Sequence, residues 1–65
     1  DAIYNLAITY LLMDDDQSAF PLLKLLTERT PENGIIWREI GGIYARQGRI
    51  EDSANAYERE EKLKK

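Results

Sequence analysis

An internal repeat constrains the fold of this chain more than any other feature of its sequence. Four positions recur 34 residues later, each time with three large apolar residues and one small one: Ile3 and Trp37, Leu6 and Ile40, Ala7 and Gly41, Tyr10 and Tyr44. The spacing i, i+3, i+4, i+7 places each group of four on one face of a helix. Because such a face must be covered by another helix, we expect the chain to fold by packing its helices in pairs.

The same periodicity predicts four helices separated by breaker residues. We expect them near residues 2–13, 17–29, 34–47 and 50–63. The three aspartates at residues 14–16 end the first helix and cap the second, since an aspartate side chain accepts hydrogen bonds from the free N–H groups of a helix start. A turn at residues 30–34 separates the two halves, and Gly48 ends the third helix in the left-handed conformation. The predicted fold class is all-α, with four antiparallel helices in two helix-turn-helix units.

These motifs resemble the tetratricopeptide (TPR) repeat, which has the same period. I-x-x-L-A-x-x-Y begins at Ile3 and W-x-x-I-G-x-x-Y begins at Trp37, and both match the family's W-x-x-L-G-x-x-Y. Ala19-x-x-x-Leu23 matches the family's later A-x-x-x-F. Pro31 stands at the position of the family's inter-repeat proline.

The resemblance implies two consecutive TPR repeats, residues 1–33 and 34–65, as a fragment of a right-handed α-solenoid. The second repeat departs from the family at its end, where Glu60 replaces the usual alanine and Lys65 the usual proline. The charged tail at residues 58–65 is either a solvated helix end or the polar cap of a repeat array. Since the chain starts without Met and inside a helical pattern, we expect a module of a longer protein.

The resemblance also orders the apolar residues into a core. We expect nine residues there: Leu6, Tyr10, Ala19, Leu23, Trp37, Ile40, Gly41, Tyr44 and Tyr57. Gly41 takes the position where the family keeps a small residue so that two helix backbones come close. Two interpretations of the adjacent Gly42 stay open: either a ligand backbone approaches it, or the fold tolerates the ~1 kcal/mol that a helical glycine costs.

TPR arrays present a concave groove to peptides or helices of other proteins, so the resemblance implies a protein-interaction module or scaffold. Eight residues match the groove positions: Tyr4, Ile8, Leu11, Leu12, Ile35, Arg38, Gly42 and Ala45. Their large apolar members predict a partner with an apolar segment or an amphipathic helix, or a homo-oligomer of this chain. The alternative is a purely structural unit of a longer TPR array, in which flanking repeats cover the same residues.

Catalytic and cofactor chemistry is not expected of this sequence. Without His or Cys the chain has no Ser-His-Asp or Cys-His arrangement and lacks the commonest zinc ligands. A calcium loop starting at Asp14 would need Gly and Glu where Ala19 and Leu25 stand. We therefore expect no enzyme, no cofactor and no metal. A Lys and Asn clamp for C-terminal carboxylates, used by one TPR subset, is not expected either, because the matching residues are Tyr4, Ile8, Arg38 and Gly42.

Charge and hydropathy favour a protein partner over a nucleic acid or a membrane. The net charge is −3, and the sequence shows no basic face of the kind that nucleic-acid binding requires. Its apolar runs are far shorter than the ~18 residues that span a bilayer. The sequence names no compartment, and the expectation is a soluble, cytoplasmic protein.

Overall fold

The computed structural model describes residues 1–64 and consists of four α-helices joined by short turns. The helices are α1 (Ala2–Leu12), α2 (Asp16–Arg29), α3 (Gly34–Arg46) and α4 (Ile50–Leu63). No strand occurs among the described residues. The predicted all-α class and four helices are confirmed, and every helix boundary lies within one residue of its predicted position. Lys65, where the TPR family has its proline, lies outside the described residues.

Consecutive helices pack antiparallel, so the chain forms two helical hairpins that stack through α2 and α3. Asp16 begins α2, and its carboxylate binds Arg46 at the end of α3. Gly34 begins α3 and lies against Glu60 near the end of α4. Within residues 1–64, no Cα atom of α1 lies within 8 Å of a Cα atom of α3. These two helices therefore leave an open groove between them, with α2 beneath it.

The ends of α1 and α3 have the same backbone geometry at positions 34 residues apart. The chain turns through a left-handed residue at each end, Asp14 with φ 59° and Gly48 with φ 77°. The left-handed residue and the one after it donate their N–H groups to carbonyls of the last helical turn, at N···O distances between 2.8 and 3.1 Å. This arrangement is the Schellman motif. It confirms the prediction that Gly48 ends α3 in the left-handed conformation.

The three aspartates between α1 and α2 have different roles. Asp14 makes the left-handed turn, and Asp16 is the first residue of α2. Asp15 caps α2, because its Oδ1 accepts a hydrogen bond from the N–H of Ser18 at 3.2 Å. The prediction that this run ends one helix and caps the next is confirmed.

The apolar core is supplied mostly by α2 and α3. Eight hydrophobic residues are buried: Ala7, Ala19, Leu23, Leu26, Ile36, Ile40, Ile43 and Ala56. α2 and α3 supply most of them because each of these two helices has a neighbour on both sides. Four predicted core residues are buried, namely Ala19, Leu23, Ile40 and Gly41. Three more are half-buried against the core, namely Tyr10, Trp37 and Tyr44.

The prediction of a buried Leu6 and a buried Tyr57 is wrong, since 46% and 41% of their surfaces are exposed. Leu6 is the repeat equivalent of Ile40, which is buried on a helix that packs against both α2 and α4. In the described part of the chain no helix precedes α1 in the way that α2 precedes α3. Leu6 therefore has no second neighbouring helix to cover it. Tyr57 lies on α4, and no described helix follows α4.

The prediction omitted Ile36 and Ile43, which are among the most deeply buried side chains. With Ile40 they form a stripe at i, i+4, i+7 on α3. The TPR motif of α3 contains Ile40 but neither Ile36 nor Ile43, whereas α3 packs against both α2 and α4. A helix in the middle of a stack needs both faces.

Gly41 lies in a close contact between α3 and α4. The Ser53 hydroxyl donates a buried hydrogen bond of 2.9 Å to the Gly41 carbonyl. A Cβ atom on Gly41 would lie 3.0 to 3.1 Å from atoms of the Tyr57 ring, which is closer than ordinary van der Waals contact. A Cβ on Gly42 would have room, at 3.5 Å from the nearest atom of Arg46. The expected role of Gly41 in a close helix contact is therefore confirmed.

Candidate functional site

The eight predicted groove residues are divided among different surroundings. Tyr4 and Ile35 lie on opposite walls of one cleft, and Ile35 and Arg38 line a second cleft. The remaining five line neither of these two clefts. They are the half-buried Ile8, Leu11 and Gly42 and the exposed Leu12 and Ala45. The structure thus brings together three of the eight.

The first cleft lies between the start of α1 and the start of α3 and holds about 210 Å³. Its lining is Asp1, Tyr4, Leu26, Thr30, Asn33, Ile35 and Ile36. Leu26 and Ile36 are buried members of the core, so their exposed edges form an apolar floor. A water molecule occupies about 30 Å³, so the cleft has room for a large side chain from another molecule.

The second cleft lies between the start of α3 and the end of α4 and holds about 270 Å³. Its lining is Gly34, Ile35, Arg38, Glu60, Leu63 and Lys64. Ile35 belongs to both clefts, and 48% of its surface is exposed. The two clefts therefore adjoin through one exposed apolar side chain.

The two clefts occupy equivalent positions in the two hairpins. Four lining residues of the first correspond, 34 residues later, to four of the second: Asp1 to Ile35, Tyr4 to Arg38, Leu26 to Glu60 and Thr30 to Lys64. The start of α3 closes the far side of the first cleft, whereas in residues 1–64 no helix stands at the matching side of the second. The lining of this recess is mostly apolar in the first hairpin, whereas three of its six lining residues are charged in the second, namely Arg38, Glu60 and Lys64.

Two ion pairs flank the groove. Arg38 lies 4.0 Å from Glu60 in the second cleft. At the opposite end of α3, Arg46 binds the Asp16 carboxylate through two N–H groups, at 2.7 and 3.0 Å. This two-point hydrogen bond, together with the positive charge, lowers the pKa of Asp16 below its usual value, and it raises the pKa of Arg46. The pair fastens α2 to α3 at the end away from the clefts.

Sequence analysis missed the cleft residues contributed by α2 and by the end of α4. Leu26 and Thr30 are four residues apart and share the face of α2 that lines the first cleft. Leu63 is the single apolar residue of the charged tail, and it contributes an apolar edge to the second cleft beside Lys64. The i, i+4 spacing on α2 and the isolated leucine were the available signals.

A third cleft, of about 140 Å³, lies between α2, α3 and α4 beside Trp37. The Trp37 indole N–H donates to the Pro31 carbonyl at 2.9 Å. The Arg59 guanidinium lies over the Trp37 ring, 4.7 Å from its centroid. Since both the polar edge and one face of the indole already have partners, we assign this cleft a structural role.

Residues 1–64 contain no cluster of three acidic side chains that could hold a metal ion. None of the four described helices is long and apolar enough to cross a bilayer. No protein-family model, no curated protein and no solved structure matches the chain.

Proposed function

We propose that this chain is a protein-interaction module of the TPR kind, and that its groove holds an apolar segment or amphipathic helix of a partner protein. Three features support the TPR part: the 34-residue register, the equivalent ends of α1 and α3, and the close approach of α3 to α4 at Gly41. The proposed role is binding, and no reaction is assigned to it.

The observation that carries the proposal is the pair of adjoining clefts. The first offers Tyr4 and Ile35 as apolar walls, and the second places the exposed Leu63 beside Arg38 and Lys64. Anchoring one large apolar side chain in a desolvated recess is how helices bind grooves. The neighbouring cations favour an acidic residue on the same ligand.

A peptide titration tests this proposal. The probe is a synthetic amphipathic helix with Leu at i, i+4 and i+7 and Glu beside the leucines, labelled for fluorescence anisotropy. We expect it to bind the parent chain, whereas a matched peptide with Ser in place of Leu does not. Tyr4→Ser and Ile35→Ser each remove one wall of the first cleft, so both variants are expected to lose the peptide.

Gln17→Ser is the matched control, because Gln17 is exposed and lines neither cleft. This variant is expected to bind as the parent does. If the parent binds neither peptide, or if the two cleft variants bind as tightly as the parent, the recognition role is contradicted. The chain would then be the purely structural repeat unit.

A further inference from the structure

Exposed apolar residues also occur on the first and last helices, outside both clefts. Leu12 ends α1 with 82% of its surface exposed, and Ile50 begins α4 with 67% exposed. Leu6 on α1 and Tyr57 on α4 are exposed as well. A single exposed apolar residue is ordinary. These four residues, however, are the repeat equivalents of four residues on α2 and α3, the two helices through which the hairpins stack.

The interface between the two hairpins shows how α2 pairs with α3. α2 meets α3 through an ion pair of Asp16 with Arg46 and an edge-to-face contact of Phe20 with Tyr44 at 5.4 Å. Leu23 of α2 and Ile40 of α3 both belong to the buried core cluster beside these contacts. α4 is the repeat equivalent of α2, and α1 is the repeat equivalent of α3. The same interface formed between two copies of the chain joins α4 of one copy to α1 of the next.

A shift by one repeat maps the two observed contacts, and the two buried core residues Leu23 and Ile40, onto three new pairs: Ile50 with Leu12, Ala54 with Tyr10, and Tyr57 with Leu6. Each new pair is apolar or aromatic on both sides. At the position of the ion pair, both charged residues are replaced together, the acid by Ile50 and the base by Leu12. If only one residue of the ion pair had been replaced, a charged side chain would lie against an apolar one. Because both are replaced, the α4 surface and the α1 surface are complementary at this position.

The second half of α4 is mostly charged, with Leu63 as its one apolar residue after Tyr57. Glu60 and Glu61 stand where α2 has Leu26 and Thr27. The apolar contact between copies is therefore confined to the half of α4 that starts at Ile50. A contact of this size predicts weak, reversible association rather than a permanent complex.

Charge complementarity adds to the contact at the other half. Within residues 1–64 no helix stands on the far side of the second cleft, and the shifted interface places Asp1 of the next copy there. This carboxylate then lies near Arg38 and Lys64, which line that cleft together with Glu60. Arg38 lies 4.0 Å from Glu60 and Lys64 lies 3.7 Å from Glu61, so the Asp1 carboxylate adds to existing ion pairs. Opposite charges at the rim favour correct encounter and register.

We propose that copies of this chain associate head to tail, with the start of α4 in one copy packed on the end of α1 in the next. The two surfaces differ, so the contact is heterologous and each added copy leaves a free surface at both ends of the assembly. The mass in solution therefore rises continuously with protein concentration and does not stop at a dimer.

The experiment is sedimentation equilibrium of the full chain, its variants and a mixture. Leu12→Arg and Ile50→Asp each put a charge against an apolar side chain, so each variant alone is expected to have the mass of a single copy at every concentration. An equimolar mixture of the two variants pairs Arg with Asp in one contact and Ile50 with Leu12 in the other. The mixture is therefore expected to regain the concentration-dependent association of the parent.

Exposed positions on the same helices supply the controls: Asn5→Arg on α1 and Asn55→Asp on α4 are expected to associate as the parent does. Tyr4→Ser is expected to keep the association while losing the peptide of the groove, which separates this proposal from the preceding one. A parent chain of single-copy mass at all concentrations would overturn the proposal. So would single variants that still associate, or a mixture that does not regain association.

If Leu12→Arg abolishes association while Ile50→Asp leaves it intact, α1 pairs with α1 in a twofold dimer and the head-to-tail contact is wrong. Both substituted side chains are exposed in the single copy, so circular dichroism of each variant is expected to match the parent.

Discussion

The two hairpins build the same backbone turn from different residues. Asp14 and Gly48 occupy equivalent positions after α1 and α3, and both have left-handed backbone angles. Glycine adopts this conformation without steric cost, whereas an aspartate does so at a cost of up to about 1 to 2 kcal/mol. The hydrogen bonds that end α1 and the Asp15 cap of α2 therefore hold Asp14 in the left-handed conformation in spite of this cost.

The hairpins differ more strongly in what covers them. Leu6 and Ile40 are equivalent in sequence, but Leu6 is 46% exposed and Ile40 is 1% exposed. Ile40 lies on a helix that has α2 on one side and α4 on the other, whereas among the described helices α1 packs only on α2. Burial at a repeat position is thus set by the neighbouring helix and not by the residue alone. Each of the following substitutions tests one element of this comparison.

Gly41→Leu is expected to have the largest effect. Even a Cβ atom at this position lies within 3.1 Å of the Tyr57 ring, and α4 is fixed to the Gly41 carbonyl by Ser53. Inserting extra methylene groups into a packed core typically costs about 1 to 3 kcal/mol, and leucine adds four carbon atoms where even the first is too close to the Tyr57 ring. The cost is therefore expected to exceed the roughly 3 to 5 kcal/mol that a core of this size supplies. The variant is therefore expected to be largely unfolded by far-ultraviolet circular dichroism at 25 °C. If it melts like the parent, the repeat register is wrong.

Ile40→Ala and Leu6→Ala compare the buried and exposed members of one repeat position. Removing the buried Ile40 side chain is expected to lower the free energy of unfolding by about 2 to 5 kcal/mol. Leu6→Ala is expected to cost under about 1 kcal/mol, because about half of that side chain already contacts water. Urea denaturation at low protein concentration measures both. Equal losses would contradict the assignment of α3 as a helix packed on two sides.

Asp14→Gly and Gly48→Asp exchange the residues of the two left-handed turns. Asp14→Gly relieves backbone strain but adds chain entropy to the unfolded state, so we expect a net stabilisation of up to about 1 kcal/mol. Gly48→Asp is expected to destabilise by about 1 kcal/mol. Thermal melts of the two variants should shift in opposite directions. Shifts of the same sign would show that the two turns are not equivalent.

Gly42→Ala decides between the two interpretations of the second glycine in α3. The added Cβ meets only ordinary contacts, with Arg46 Nη1 at 3.5 Å and the Tyr57 hydroxyl at 3.9 Å. Higher helix propensity is then expected to stabilise the chain by about 1 kcal/mol, measured by urea denaturation. We expect binding of the amphipathic peptide to be unchanged. Loss of peptide binding without loss of stability would favour the close approach of a ligand backbone.

Asp16→Asn is expected to have the smallest effect and to change the pH dependence of stability. Arg46 holds the pKa of Asp16 below the value of about 3.9 found in unfolded chains. The ion pair therefore stabilises the fold above that pH, and this contribution is lost as the pH falls through the lower pKa of the folded state. The side chains are partly exposed, so the contribution is expected to be only about 0.2 to 1 kcal/mol.

The variant should match the parent in acid and fall below it in stability near pH 7. Chemical denaturation at several pH values measures the difference. The same deficit at every pH would mean that Asp16 contributes through packing rather than through its charge.

Much of the fold could be predicted from sequence because its signals are local. Helix caps, the turn at Pro31 and the left-handed Gly48 act over a few residues, and the 34-residue repeat fixes which helices correspond. The burial of Leu6 could not be judged correctly, since it depends on which helices surround α1. Ile36 and Ile43 were overlooked for the same reason, because their partner helix is specified by the stacking of hairpins.

The clefts were harder to predict than the helices. Tyr4, Ile35 and Arg38 follow from their positions in the repeat, since groove positions lie on the first helix of each hairpin. Leu26 and Leu63 come from the second helices, and they reach the clefts only because helices of different length and ending meet there. Such convergence is a property of packing. The i, i+4 spacing on α2 and the isolated Leu63 indicate apolar positions, but they do not specify that these positions line a cleft.

The most direct test of the two-unit register is the environment of Gly41 in solution. Nuclear Overhauser effects measured on a uniformly labelled sample report which rings lie near its Hα protons. We predict contacts between Gly41 Hα and the Tyr57 ring, with an upfield ring-current shift of one Hα, together with contacts between the rings of Phe20 and Tyr44. A Gly41 with unshifted Hα resonances and no contact to Tyr57 would contradict the register.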